Sequence, residues 1–110
     1  MIHPREIEII NILCGSECAL SSGEIAECGN KLSQSTIQAV LRKLLNEGLI
    51  AVDGTTYSGN VLSRTYIPTE AAKQAVKQQI VEMCKSVMNI VPAEELIKEL
   101  ENILKQKRQE

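Results

Sequence analysis

Apolar residues recur at helical spacing between residues 33 and 50 and divide this segment into two faces. The inward positions follow a three-and-four spacing and comprise Ile37, Val40, Leu41, Leu44 and Leu45. The other positions form a polar outer face with Ser35, Gln38, Ala39, Arg42 and Asn46, flanked by Gln34, Thr36 and Lys43. Ser33 is suited to cap the start of the helix and Gly48 to end it. The pattern predicts an amphipathic helix over 33–47.

Two further helices are predicted before this one. The segment 21–28 starts with the spacing of a capping box, in which Ser21 caps and Glu24 lies three residues on. Gly29 is expected to end this short helix. An earlier helix is expected from Pro4 to about Cys14, with an apolar face of Ile7, Ile10, Leu13 and Cys14.

A β-hairpin is predicted after the third helix. Residues 49–53 alternate like a half-buried strand, 54–60 are rich in turn formers, and 61–67 form the return strand. This predicts a hairpin with a long polar tip. Three helices followed by a hairpin form a winged helix-turn-helix, a mainly α (α+β) fold.

The last 42 residues predict two more helices with uncovered apolar stripes. Thr69 is suited to cap a helix over roughly 70–90, and Pro92 to open the last one. We therefore predict a winged-helix domain at 1–68 and a C-terminal helical dimerisation region at 69–110. A second copy of the chain is the simplest cover for the stripes, through Val76, Ile80, Met83, Val87, Leu96, Leu100, Ile103 and Leu104.

A helix that follows a short capped helix and precedes a hairpin is typical of the recognition helix of DNA-binding proteins. Such a helix needs short polar groups near its N-terminus to sit deep in the major groove. Gln can pair with adenine and Arg with guanine, and Ala can contact a thymine methyl group. The hairpin 54–64 would add hydroxyl groups and one cation to the surface that contacts DNA. The predicted DNA-binding residues are Gln34, Ser35, Thr36, Gln38, Ala39, Arg42, Lys43, Thr56, Tyr57 and Arg64.

Composition narrows the classes of function. The net charge of −2 argues against non-specific coating of nucleic acid, and the lack of Phe and Trp argues against single-strand binding by base stacking. No membrane-spanning run or secretory signal is recognisable, so we expect a cytoplasmic protein without a membrane partner. We found no catalytic motif, so the expectation is no enzyme and no cofactor.

The cysteines leave two interpretations open. Cys14, Cys18 and Cys28 could sense metal or redox state, but their spacing matches no paired zinc motif. We favour buried, reduced thiols, with no metal, and expect Cys84 to pack in the dimer.

Residues 35–50, STIQAVLRKLLNEGLI, resemble the recognition helix and first wing strand of the penicillinase-repressor family of β-lactam- and copper-responsive regulators. Residues 63–69 and 95–110 are similar to that family's return strand and dimerisation tail. The resemblance implies a homodimeric repressor on a near-palindromic operator, with Ser35, Thr36, Gln38, Ala39, Arg42 and Lys43 towards DNA. It implies no inducing signal, because this chain has neither the family's terminal cysteine cluster nor any Phe for its Asn-Phe cleavage site.

Two other functions fit the same pattern. One is a PadR-like regulator, with residues 68–76 at the start of its dimer helix. The other is a winged-helix adaptor that binds proteins and no DNA, which the net negative charge favours. The sequence does not distinguish an activator from a repressor.

Overall fold

Five helices and one hairpin follow one another along the chain. The computed structural model describes residues 1–29 and 31–109, and the side chains of these except Ser58 and Gln109. The elements are α1 Pro4–Gly15, α2 Ser22–Glu27, α3 Gln34–Asn46, β1 Ile50–Ser58, β2 Val61–Pro68, α4 Glu70–Ser86 and α5 Ala93–Gln109. This order is that of a winged helix followed by two helices, which confirms the predicted fold class.

The starts of α2 and α3 have the predicted caps. The Ser21 hydroxyl accepts from the Glu24 amide at 3.2 Å, and the Ser21 amide donates to the Glu24 carboxylate at 3.0 Å, which completes the capping box. The Ser33 hydroxyl accepts from the Thr36 amide at 3.2 Å. Gly48 follows α3 with a φ of 74°, in the left-handed region that glycine adopts without strain.

The hairpin differs from the prediction at its tip. Strand β1 continues to Ser58, and Ser58 pairs with Val61, so the turn is only Gly59 and Asn60. The predicted long polar tip was wrong because the Thr and Tyr residues of this segment favour paired strands. The register shifts between Val52 and Gly54, which marks a β-bulge.

A short bridge joins the hairpin to the helices. Leu20, between α1 and α2, exchanges two backbone hydrogen bonds with Tyr66 of β2, at 3.1 and 2.8 Å. Thr69 then links α3 to α4, since its hydroxyl donates to the Gly48 carbonyl at 2.8 Å and accepts from the Ala72 amide at 3.3 Å. These contacts hold the base of the hairpin against the three-helix core.

The core lies among α1, α2, α3, the base of the hairpin and the start of α4. Its fully buried apolar side chains include Ile9, Ile25, Ile37 and Leu44. As predicted, Ile37, Leu41 and Leu44 face inward from α3.

The predicted face of α1 was partly wrong. Its buried residues are Glu6, Ile9, Ile10 and Leu13, whereas Ile7 is half-buried and Cys14 is exposed. Apolar residues occupy several sides of this helix, so spacing alone could not select the side that packs.

The cysteines are not core residues. Cys14, Cys18 and Cys28 are exposed free thiols, and Cys84 is half-buried. The prediction of buried thiols at the first three positions was wrong: Cys14 lies at the end of α1, outside the set Glu6, Ile9, Ile10 and Leu13 that packs, Cys18 lies after that helix, and Cys28 lies where α2 ends.

The chain divides into two compact units, an N-terminal unit of residues 1–77 and a C-terminal unit of residues 78–110. Helix α4 ends at Ser86, earlier than the predicted residue 90. The Ser86 hydroxyl donates to the Met83 carbonyl at 2.7 Å, and a turn begins in which the Val87 amide donates to the Cys84 carbonyl at 3.2 Å. The predicted functional division at residue 68 stays a prediction.

No helix within the described residues is long and apolar enough to cross a membrane.

Candidate nucleic-acid interface

The outer face of α3 is open to solvent, as the sequence predicts. Ser35, Gln38, Ala39, Arg42 and Asn46 are all exposed. The burial of the opposite face fixes the helix on the core, so these side chains point outward in a defined order. This arrangement presents a rigid row of polar groups.

A groove between α3 and the hairpin brings the main candidate residues together. Gln38 and Arg42 come from successive turns of α3, and Arg64 comes from β2. The apolar floor and walls are formed by Leu41, Leu45 and Tyr66. The residues described as lining the groove include two cations and no acid, so the groove favours an anionic ligand.

Neither cation of this groove is neutralised within the part of the chain that the structure describes. The salt bridges found there involve Lys43 and Lys85, and neither Arg42 nor Arg64 takes part in one. Both guanidinium groups are therefore available for phosphate or guanine.

The structure adds Ser22, at the first turn of α2, to the candidate site. Its hydroxyl accepts from the Gln34 side-chain amide at 3.0 Å and from that of Gln38 at 3.4 Å. The two glutamines of the outer face thus converge on α2, which holds their side chains in place. Sequence reasoning missed Ser22 because its neighbour Ser21 carries the capping signal.

Ser35 and Thr36 lie at the start of α3, where the cap engages their hydroxyl groups. The Ser33 hydroxyl donates to the Thr36 hydroxyl at 2.9 Å and lies 3.2 Å from that of Ser35. These groups are therefore part of a hydroxyl cluster at the N-terminus of the helix.

Lys43 is directed towards α1. Its ammonium lies 2.6 Å from a carboxylate oxygen of Glu6, whose side chain is only 4% exposed. The hydrogen bond that Lys43 donates to the Glu6 carboxylate raises the pKa of Lys43 above its ordinary value of 10.5, more than desolvation lowers it. The structure thus places Lys43 apart from the groove residues, in an ion pair that secures α3 to α1.

The two faces of the hairpin separate the predicted wing residues. Tyr57 lies opposite Leu62 and Thr55 opposite Arg64, so these four share the face that continues from the groove. Thr56 pairs with Ser63 on the other face. The structure therefore places Tyr57 on the same face of the hairpin as Arg64, which lines the groove, and Thr56 on the other face.

Among the described residues, no group of three or more His, Cys, Asp or Glu side chains could hold a metal ion.

The predicted dimer residues fall into two groups. Val76 packs against the core of the N-terminal unit, and Val87 and Leu96 are half-buried. The others are exposed and comprise Ile80, Met83, Leu100, Ile103 and Leu104. The C-terminal unit thus retains an uncovered apolar surface.

No protein-family model matches the sequence, and no curated protein matches it. Solved structures do match. Bacillus subtilis PadR in complex with operator DNA is 20% identical with a TM-score of 0.59, over 97% of this chain and 73% of that chain. A MarR family protein from Bacillus stearothermophilus is 20% identical with a TM-score of 0.56, over 98% and 74%.

A PadR family transcription regulator from Clostridium difficile R20291 is 25% identical with a TM-score of 0.54, over 76% of this chain and 93% of that one. These structural neighbours are winged-helix regulators of the PadR and MarR types and support the predicted fold. They do not confirm the resemblance to penicillinase repressors.

Proposed function

We propose that this protein is a sequence-specific DNA-binding transcriptional regulator that acts as a homodimeric repressor. The observation that carries the proposal is the groove in which Gln38, Arg42 and Arg64 meet, on the exposed side of a capped helix that follows α2. A cationic groove beside a rigid polar helix fits a duplex and offers no arrangement for catalysis. We therefore propose no enzymatic activity.

In this proposal, α3 lies in the major groove. Gln38 is placed to pair with adenine, Arg42 with guanine or a phosphate, and Ala39 with a thymine methyl group. The hydrogen bonds that Gln34 and Gln38 donate to the Ser22 hydroxyl hold both glutamine side chains in place before DNA binds. Less side-chain freedom is then lost on binding, which favours affinity.

Within the regulators, a PadR-type protein is the better supported alternative. A PadR solved with operator DNA matches over almost the whole chain, and a second PadR family structure reaches 25% identity. A penicillinase-type repressor is supported by sequence resemblance alone, at residues 35–50, 63–69 and 95–110.

The proposed dimer contact lies in the C-terminal unit. Ile80, Met83 and Leu100 are 57%, 60% and 64% exposed, which is unusual for apolar residues at regular helical spacing. A second copy would remove this surface from water and would pair two recognition helices. Two such helices fit a near-palindromic operator.

Binding to duplexes selected from a random DNA pool tests the proposal. We expect Gln38→Ala or Arg42→Ala to weaken the selected site by about 1–3 kcal/mol and to relax base preference. Lys98→Ala, an exposed cation of α5 on the side away from the apolar stripe, serves as the control and should bind like the parent.

Two results would contradict the proposal. If both groove variants bind as the parent does, α3 does not read DNA. If the parent has no affinity for any duplex even at low salt, the adaptor that binds only proteins becomes the better explanation.

A further inference from the structure

One hydroxyl group of α2 serves two side chains of α3. The Ser22 hydroxyl accepts a hydrogen bond from the Gln34 amide nitrogen at 3.0 Å and from the Gln38 amide nitrogen at 3.4 Å. Gln34 and Gln38 lie one helical turn apart on the same side of α3, so both reach the same point on the neighbouring helix. We call these three side chains the Ser22 network.

The position of Ser22 is fixed by its surroundings. Ser22 is the first residue of α2 and follows the buried Ser21, whose capping box with Glu24 holds this end of the helix. On the next turn, Ile25 is completely buried in the core. The Ser22 hydroxyl is therefore an acceptor held in a defined place, whereas the exposed glutamine side chains would rotate freely without it.

The Ser22 network determines how each amide is turned. A hydroxyl has two lone pairs and a single proton, so it can accept from two amides but donate to only one. In the structure both glutamines donate through their nitrogen. A side-chain amide has two N–H groups, and donation of one of them to Ser22 leaves the other N–H group and the carbonyl oxygen for a ligand.

Adenine matches the groups that remain. In the major groove, adenine presents one donor and one acceptor, whereas guanine presents two acceptors. A free amide could turn both N–H groups towards guanine, but an amide bound to Ser22 has one of them already engaged. We infer that Ser22 is a positioning residue that sets the base specificity of Gln34 and Gln38, in favour of adenine over guanine. This inference rests on the proposed function, because it requires that α3 reads DNA.

The two glutamines are not held equally. The hydrogen bond from Gln34, at 3.0 Å, has an ordinary length, whereas the one from Gln38, at 3.4 Å, exceeds the usual range of about 2.7–3.2 Å. The longer bond is the weaker one. We therefore expect removal of the Ser22 hydroxyl to change base preference more at the position read by Gln34 than at the position read by Gln38.

Base preference in DNA binding tests the role of Ser22. The duplex selected from a random pool is varied one position at a time, and Gln34→Ala and Gln38→Ala identify the position that each glutamine reads. At those positions we expect Ser22→Ala to lower the preference for adenine over guanine by about 2- to 12-fold, the factor for one neutral hydrogen bond. Helix α2 should remain folded, because Ser21 provides its cap and alanine favours helices.

Two variants serve as controls. Ser22→Thr retains a hydroxyl group at the same place and should keep the parental preference. Ser86→Ala removes a serine hydroxyl that donates to a backbone carbonyl in the C-terminal unit, and it should also keep that preference. Because a loss of folded protein would weaken binding to every duplex alike, a change in preference reports on the amides and not on stability.

Parental base preference in Ser22→Ala would overturn the inference. An equal loss of affinity for all duplexes would overturn it too, since Ser22 would then contact only the DNA backbone. The same holds if Ser22→Thr or Ser86→Ala loses as much preference as Ser22→Ala.

Failure of the inference can be distinguished from failure of the proposed function. If the parent binds no duplex, both fail. If Gln34→Ala and Gln38→Ala relax base preference while Ser22→Ala does not, the inference alone fails. It also fails alone if neither glutamine variant changes the preference but Arg42→Ala does, because α3 would then read DNA without the Ser22 network.

Discussion

The two compact units of this chain differ in how far their apolar side chains are buried. The N-terminal unit buries Ile9, Ile25 and Ile37 completely, in a core closed by the hairpin and the start of α4. The C-terminal unit leaves Leu100 and Ile103 more than half exposed on a regular helical face. Burial of apolar surface is the main force that stabilises folded proteins. The N-terminal unit is therefore stabilised by its own core, whereas the C-terminal unit still exposes apolar surface that a partner could bury.

The difference in burial also indicates a different role for each unit. A unit with a closed core can hold α3 rigidly and present its polar face to a ligand. A unit with an open apolar face is suited to association, since larger exposed apolar patches mark interaction sites. We therefore expect substitutions in the two units to affect different measurements.

The largest expected effect comes from a charge on the open face. Leu100→Glu would place a carboxylate in the proposed dimer contact, where desolvation of the ion costs several kcal/mol. We expect analytical ultracentrifugation to show a monomer and operator binding to weaken strongly. Lys98→Glu, on the other side of α5, should remain dimeric. An unchanged mass for Leu100→Glu would show that this face is not the contact.

A smaller but clear effect should come from shortening a core residue. Leu44→Ala removes a fully buried side chain and should lower the free energy of unfolding by about 2–5 kcal/mol, measured with urea. Leu104→Ala, at a position 47% exposed, should cost much less when the protein is dilute enough to be monomeric. Equal losses at the two positions would remove the distinction between the units.

The smallest effect concerns the ion pair between Lys43 and Glu6. The folded state raises the pKa of Lys43, so it holds this proton more tightly than the unfolded chain does. The stabilisation is therefore complete below pH 10.5 and is lost as the pH rises through the raised pKa. In Lys43→Met this contribution is absent, so urea midpoints of the parent and the variant should differ below pH 10.5 and converge as the pH rises above it.

Lys85 provides the control, since it and its partner Glu82, 3.5 Å away, are both exposed, and Lys85→Met should follow the parent across this range. A gap between the parent and Lys43→Met that stays constant with pH would show that the pair does not contribute through its charge.

Much of the fold could be predicted from local patterns. Ser21 with Glu24, and Ser33 with Gly48, define the starts and ends of helices through hydrogen bonds and backbone conformations that lie within a few residues. The inward and outward faces of α3 were also predicted correctly, because only one side of that helix is apolar.

The errors arose where local signals were ambiguous. On α1, apolar residues surround the helix, so only packing could decide that Glu6 and Ile9 are buried and Cys14 is not. At the hairpin tip, the segment with Thr55 and Tyr57 fits a turn-rich loop and a strand equally well. Pairing with β2 makes it part of strand β1.

The sequence by itself determined the order of elements, the capped helices and the polar row on α3, since each depends on neighbours along the chain. Only the tertiary structure decided which cations act together. Arg42 and Lys43 are adjacent in sequence, yet helical geometry directs the first to the groove with Arg64 and the second to the buried Glu6. The role of each of these two cations depends on a partner that is distant in the sequence, and local spacing does not identify that partner.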